Sequence, residues 1–425
     1  MTRTTRGSLR ELIRRCFGEQ EKLPFVVGQT QIPLSVPTFG WEEVWEALES
    51  LLSKQVTMGK KVRQFEAMFA EYVGVKHAVM VNSGSSANLL ALSVLASPLI
   101  AGHLRPGDEV VTPAVSWATT VFPILNLRLT PVLVDVDLNT FNLIPEEVEK
   151  AITPRTRAIL LVHLLGNPCD MDSITAIARR HNLLVIEDAC EAHGAEYGGR
   201  KVGSFGDIAT FSFFFSHHIT TIEGGMLLTN NDEYAESARM LRVFGWIRDL
   251  KAKEAIAHEH LGVDPRYLFL DIGYNLRPTE IQGAFGIHQM GKLEGYIEVR
   301  RENAHYWSER LGALAQLLVH RETGGTRHVW FGYPITVQPD APFSRRELVD
   351  HLEAKGVETR PIMAGNVDEQ PAMRLFPYRK VGDLPNSRLI HRNAFFFGNH
   401  HGIREEERNA IVSYFQEFVK QKTGA

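Results

Sequence analysis

The chain has 425 residues, 44% hydrophobic and 23% charged, enough for one large core and a smaller second one. Its formal net charge is −4 and its Lys and Arg residues are scattered, so there is no basic field for nucleic acid and a small-molecule substrate is expected. Cys16, Cys169 and Cys190 show no CxxC spacing, which supports neither a disulfide framework nor a cysteine-built metal site and suits a reducing, cytoplasmic home. The arginine-rich N-terminus, up to Arg15, lacks the apolar core of a signal peptide, and no apolar run approaches membrane-spanning length.

From about Lys76 to Asn230, strand-like and helix-like segments alternate, the pattern of an open α/β sheet. Short β-rich runs predict strands at 77–81, 109–112, 131–136, 158–163, 183–187, 208–213 and 226–229. A helix is expected over 172–180, opened by an acidic cap and closed by two arginines that suit its dipole. The sheet should be mostly parallel and buried between helices. After about Gly291 long amphipathic helices dominate, and Ile411, Tyr414, Phe415 and Phe418 recur at helical spacing, so one face of that helix must pack. The expected division is an N-terminal arm over 1–45, a large domain over 46–295 and a smaller α+β domain over 296–425, parting within a helix around 298–310. No internal repeat, low-complexity tract or long Pro/Gly/Ser linker is present.

The first chemical motif is Val81-Asn82-Ser83-Gly84-Ser85-Ser86-Ala87-Asn88, a strand that turns through glycine into an apolar helix. Glycine lets the backbone approach an anion, and free helix N–H groups with serine hydroxyls can bind a phosphate dianion. The plain alternative is a helix cap. Next, Trp117 falls in the loop after a strand, where α/β sheets bind ligands, placed either to stack on a flat heteroaromatic ring or to sit partly buried in the core. Ile186-Glu187-Asp188 delivers an acid at a strand end. Paired with a pyridinium nitrogen, Asp188 would keep it protonated and make the ring an electron sink; the alternative is a structural aspartate capping the next turn. Glu191, three residues on, reads as a contact to the ring oxygen or as a solvated loop residue.

These pieces occur in order together with Val56-Thr57-Met58-Gly59-Lys60, Leu164-Leu165-Gly166-Asn167-Pro168, Ser216-His217-His218-Ile219, Gly273-Tyr274-Asn275, Trp330-Phe331-Gly332 and Arg360-Pro361-Ile362. Over nearly its whole length the chain resembles the sugar aminotransferase family typified by the DegT and StrS proteins. Within that family it is most similar to the 3-dehydratases acting on GDP-4-keto-6-deoxymannose. The resemblance implies an aspartate aminotransferase-like fold of type I, pyridoxal and pyridoxamine 5'-phosphate as cofactors, L-glutamate and a nucleotide sugar as substrates, and a homodimer with shared active sites. It places Gly84, Ser85 and Ser212 on the cofactor phosphate, Trp117 on its ring, Asp188 on its nitrogen and Glu191 on its ring oxygen. Asn275 would reach the cofactor of the neighbouring subunit. Arg248 and Arg360 match arginines near the sugar nucleotide or the amino-acid carboxylate, with a surface or interdomain ion pair as the competing reading of each.

His217 stands where the family's aminotransferases carry a lysine. Imidazole cannot form the stable imine a lysine makes, and acts only as acid and base. The expected reaction is therefore removal of the C3 hydroxyl from a nucleotide-linked 4-keto-6-deoxy sugar, with His217 as the catalytic acid and base. The adjacent His218 reads as a support, because consecutive residues point apart and no ligand-spaced acid or cysteine accompanies the pair, so no metal is expected. An ordinary sugar aminotransferase would need a lysine in register, and Lys201 and Lys251 are not. The iron-sulfur 3-dehydrase of CDP-sugar pathways also bears histidine, but its cluster needs four cysteines after the equivalent of Arg248, where this chain has none; neither cluster nor reductase partner is expected. A catalytically inactive, cofactor-binding regulatory protein is the alternative from another class.

Overall fold

The computed structural model describes residues 3–18 and 24–424. Of the expected arm, residues 1–2 and 19–23 lie outside the described residues; the rest of its start is the helix Arg3–Gly18. That helix rests on the next, Trp41–Leu52, through Arg10 and Arg14 over the Trp41 ring and an ion pair from Arg6 to Glu49.

The strands of the two larger sheets are His77–Val81 (β1), Glu109–Pro113 (β2), Thr130–Val134 (β3), Thr156–Val162 (β4), Leu184–Asp188 (β5), Ile208–Ser212 (β6), Gly225–Thr229 (β7), Leu317–Val319 (β8), Gly332–Val337 (β9), Thr359–Pro361 (β10), Arg379–Lys380 (β11) and Ala394–Gly398 (β12). The main sheet runs β1-β7-β6-β5-β4-β2-β3-β11. Every pairing from β6 to β11 is parallel, whereas β7 lies antiparallel between β1 and β6. Its middle strands are buried along their length, as β-rich runs covered by helices on both faces must be. All seven strands expected between Lys76 and Asn230 are present, and the sheet is mixed but mostly parallel, as predicted.

The helices that matter to the site are Gly84–Ala96 (α1), Ala118–Asn126 (α2), Met171–His181 (α3), Leu293–Leu311 (α4) and Glu405–Thr423 (α5). The acid capping α3 is Asp170, whose side chain accepts from Ser173 N, whereas the expected helix begins at Asp172. The helix therefore starts one residue earlier than expected. In the C-terminal part, an antiparallel sheet β8-β9-β12-β10 packs on α4 and α5. Its core holds Trp307, Tyr333 and Phe397 with the predicted face of α5: Ile411, Tyr414, Phe415 and Phe418. No helix among the described residues is long and apolar enough to cross a membrane.

One buried carboxylate ties the two parts of the chain. Glu109, at the start of β2, accepts from Thr153 Oγ1 (2.8 Å), Thr156 Oγ1 (3.1 Å) and Arg155 Nη2 (2.9 Å), and from Arg379 Nη2 of β11 (2.8 Å). Burial pushes its pKa up, but the Arg379 and threonine bonds outweigh that and hold it at about 2. A depressed carboxylate stabilises the fold above its unfolded pKa and loses that contribution as pH falls through about 2. Glu109→Gln should therefore cost about 2 kcal/mol in urea unfolding at pH 7. The gap to wild type should narrow as the titration is repeated from pH 5 downwards; a gap independent of pH would refute this account.

Candidate active site

The parallel strands end on one side of the sheet, and there the chain opens a cavity of about 460 Å³. Gly84, Ser85, Trp117, Asp188, Glu191, Ser212 and His217 all line it. Each arrives by a different route. Ser83 caps α1 by accepting from Ser86 N at 3.1 Å, so the first-turn N–H groups of Gly84 and Ser85 have no intrahelical carbonyl to bond. The turn presses hard on its neighbours: a Cβ on Gly84 would stand 2.4 Å from Ser212 Cβ, and one on Gly225 would stand 2.2 Å from Ser83 O. Glycine is needed at both places, and the result is a tight turn between the helix and the ends of β6 and β7 whose free N–H groups are of the kind that can hold an anion. Ser85 Oγ donates to Thr119 Oγ1 at 3.0 Å.

Asp188 closes β5 and is buried. Its Oδ2 accepts from Asn88 Nδ2 (2.9 Å) and Thr120 Oγ1 (2.7 Å), and its Oδ1 from Cys190 N (3.2 Å). Thr210 Oγ1 in turn donates to Asn88 Oδ1 at 2.5 Å. This web orients the carboxylate, and nothing in the reading of single motifs foretold it. A polar Asn88 inside the otherwise apolar run of α1 was the available signal. Glu191 is buried rather than solvated, accepting from Leu165 N at 2.7 Å. Burial, reinforced by the Asp188 charge, pushes its pKa up to about 8.

His217 sits half-buried on a loop that leaves β6 and returns to β7. The loop is closed by Phe213 N donating to Gly224 O (2.8 Å) and Thr221 N donating to Phe213 O (2.9 Å). Phe331 packs at 5.1 Å from the imidazole, and the Nδ1 atom is buried without a partner. Burial first, and the Arg300 charge second, push its pKa down to about 3. His218 turns the other way into the core, pairing through Nε2 with Val329 O at 2.9 Å. Among the described residues no group of three His, Cys, Asp or Glu side chains is arranged to hold a metal ion.

Three predicted residues lie outside this cavity. Asn275 is exposed and accepts from Arg277 Nε at 3.0 Å, while its neighbour Leu276 O receives Asn82 N beside the glycine turn. Arg248 lies over Trp246 and lines a separate cavity of about 670 Å³ with Tyr267 and Arg266. Arg360 is half-exposed on β10 and donates to Glu358 Oε1 at 2.6 Å, although its register partner Phe396 does line the site. Phe331 and Glu223 line the cavity without having been singled out for it. No lysine does, among the described residues.

The sequence profile of the DegT/DnrJ/EryC1/StrS aminotransferase family matches residues 38–416. A dTDP-4-dehydro-2,6-dideoxy-D-glucose 3-dehydratase of Saccharopolyspora spinosa is 39% identical over 424 residues, spanning 97% of this chain and 91% of that protein. A GDP-4-keto-6-deoxy-D-mannose 3-dehydratase of Yersinia pseudotuberculosis is 39% identical over 372 residues, spanning 87% and 94%. The crystal structure of a GDP-4-keto-6-deoxymannose-3-dehydratase with a trapped PLP-glutamate geminal diamine matches with a TM-score of 0.85 at 36% identity, covering 90% of this chain and 99% of that one. With a profile match over most of its length and relatives of this similarity, the chain belongs to the DegT/DnrJ/EryC1/StrS aminotransferase family.

Proposed function

We propose that this protein is a 3-dehydratase that removes the C3 hydroxyl of a nucleotide-linked 4-keto-6-deoxy sugar, GDP-4-keto-6-deoxy-D-mannose. It uses pyridoxal 5'-phosphate, converted to pyridoxamine 5'-phosphate by L-glutamate, and yields a 4-keto-3,6-dideoxy sugar. The carrying observation is a cavity with a glycine-serine turn at a helix start, an oriented acid and an imidazole, but no lysine in its lining among the described residues. That turn fits the cofactor phosphate, because the approach of α1 to Ser212 leaves no room for a Cβ at Gly84. Ser85 and Ser212 supply hydroxyls there, Asp188 suits a pyridinium nitrogen, and the exposed Trp117 offers a flat face at the rim. When bound, the cofactor supplies the amine that joins the sugar keto group and the electron sink that lets the C3–O bond break.

The protein's own part is proton handling and orientation. Burial and the Arg300 charge keep His217 neutral at neutral pH, and its Nδ1 is buried without a partner. It would take the proton given up by the cofactor's methylene carbon and deliver it to the departing C3 oxygen, which leaves as water. Glu191, with its pKa near 8, carries its proton at neutral pH and would donate a hydrogen bond to the cofactor's ring oxygen. Because no lysine among the described residues lines the cavity, no amine there would recapture the cofactor covalently, and nitrogen would be released as ammonia rather than kept in the sugar. Exposed Asn275 beside the glycine turn would face the neighbouring subunit's cofactor, which makes the working unit a homodimer with two shared sites. Free Cys16, Cys169 and Cys190 suit a reducing cytoplasm.

Incubation with pyridoxal phosphate and glutamate should convert the absorption to that of pyridoxamine phosphate; an unchanged spectrum would indicate a non-catalytic protein. GDP-, CDP- and dTDP-linked 4-keto sugars presented side by side should then favour the GDP sugar in kcat/KM. A preference for dTDP would overturn the nucleotide reading and leave the dehydration intact. His217→Lys should retain cofactor but lose dehydration about 100-fold or more, and undiminished turnover would sink the acid–base assignment. Glu191 gives a stability test that needs no substrate. Its folded pKa is raised, so its contribution is fully present below about 4.5 and declines as pH rises through about 8. The apoprotein should lose stability over that window in chemical denaturation, and Glu191→Gln should flatten the slope.

A further inference from the structure

Arg300 on α4 is 2% exposed, yet no carboxylate lies within ion-pair distance of it among the described residues. A buried guanidinium without a counter-ion must spend its donors on something else. Here Nη1 donates to three main-chain carbonyls: Phe331 O at 2.9 Å, Trp330 O at 3.4 Å and Asn399 O. Asn399 completes the clasp, its Nδ2 donating to Arg300 O (2.9 Å) and Trp330 O (3.3 Å).

The clasped turn is strained and well placed. Trp330 has φ +48°, a left-handed conformation unfavourable for so bulky a side chain. On its far side, Phe331 N donates to Leu165 O (2.8 Å), Val329 N donates to Gly166 O (3.1 Å), and Val329 O pairs with His218. Leu165 N is the donor to Glu191. The Phe331 ring lines the cavity and packs on the His217 imidazole. One short run thus joins α4, the loop after β4 and the histidine loop.

We infer that Arg300 is a positioning residue for the dehydration: by clamping the carbonyls of Trp330 and Phe331 it holds the Phe331 ring against His217 and aims the imidazole, without touching substrate itself. This rests on the reading of His217 as the acid and base. All three bonds come from Nη1 at the tip of the guanidinium, and a lysine ammonium, on a shorter stem and more strongly hydrated, does not take its place at this buried spot. The same charge adds to burial in disfavouring protonation of His193, His217 and His218. Asp188, Glu191 and Glu223 are the carboxylates that line the cavity with His217.

The test is a double-mutant cycle on the holoenzyme with the preferred nucleotide sugar. Arg300→Lys and Phe331→Leu should each lower kcat about tenfold or more while KM moves less than about threefold. If both act through one contact, the double variant should be within about threefold of the worse single variant. Losses that multiply to about a hundredfold, or a kcat unchanged in Arg300→Lys, would overturn the clamp. A second readout needs no turnover: the His217 ring resonances, assigned by their disappearance in His217→Asn, should lose the Phe331 ring-current shift in Arg300→Lys. Resonances that stay in place would equally overturn it. Because that shift is independent of the reaction, a protein that dehydrates no sugar would defeat the proposed function while the clamp is still judged on its own. If Arg300→Lys does not fold, Asn399→Ala, which removes donors to the same clasp, replaces it in both measurements with the same expectations.

Discussion

The site depends on a contact of backbone with backbone. The first turn of α1 lies so close to the ends of β6 and β7 that side chains are excluded at Gly84 and Gly225. This approach exposes helix N–H groups beside the Ser212 hydroxyl, and it also brings β7 back antiparallel against β6. The return requires a loop between them, and that loop carries His217. The glycine turn and the placing of the His217 imidazole are therefore consequences of one packing arrangement, and loosening it would displace both.

Desolvation then sets the protonation states in opposite directions by the same physics. Burial disfavours charge, so it raises the carboxyl of Glu191 to about 8 and lowers the imidazole of His217 to about 3. At neutral pH the first is a donor and the second an acceptor. Asp188 is handled differently, its two oxygens engaged by Asn88, Thr120 and the Cys190 N–H. A cavity whose groups are already oriented and already in the required protonation state needs little rearrangement when charge moves during the reaction.

Much of this was legible in the chain. The seven strands of the α/β region, the packed face of α5 and the Ser-Gly-Ser turn followed from local periodicity and turn chemistry, which depend on nearby residues. Glu191 shows where that legibility stops. Its loop position permitted a solvated side chain, and only the overlying Leu165 turn buries it. Arg248 and Arg360 show the reverse: position alone could not separate a substrate contact from an ion pair, and within this chain Arg360 pairs with Glu358 while Arg248 lies over Trp246 and pairs with its neighbour Asp249.

By itself the sequence determined the kinds of groups available: a glycine turn before a helix, an acid at a strand end, and histidine in place of lysine at 217. These are covalent facts, and they limit the chemistry whatever the fold does. Tertiary structure decided which groups share one cavity, which atoms are deprived of water, and how Asn88, Phe331 and Arg300 come to bear on the cavity's lining. Such relations join residues far apart in the chain, through burial and crossing hydrogen bonds that no local pattern encodes.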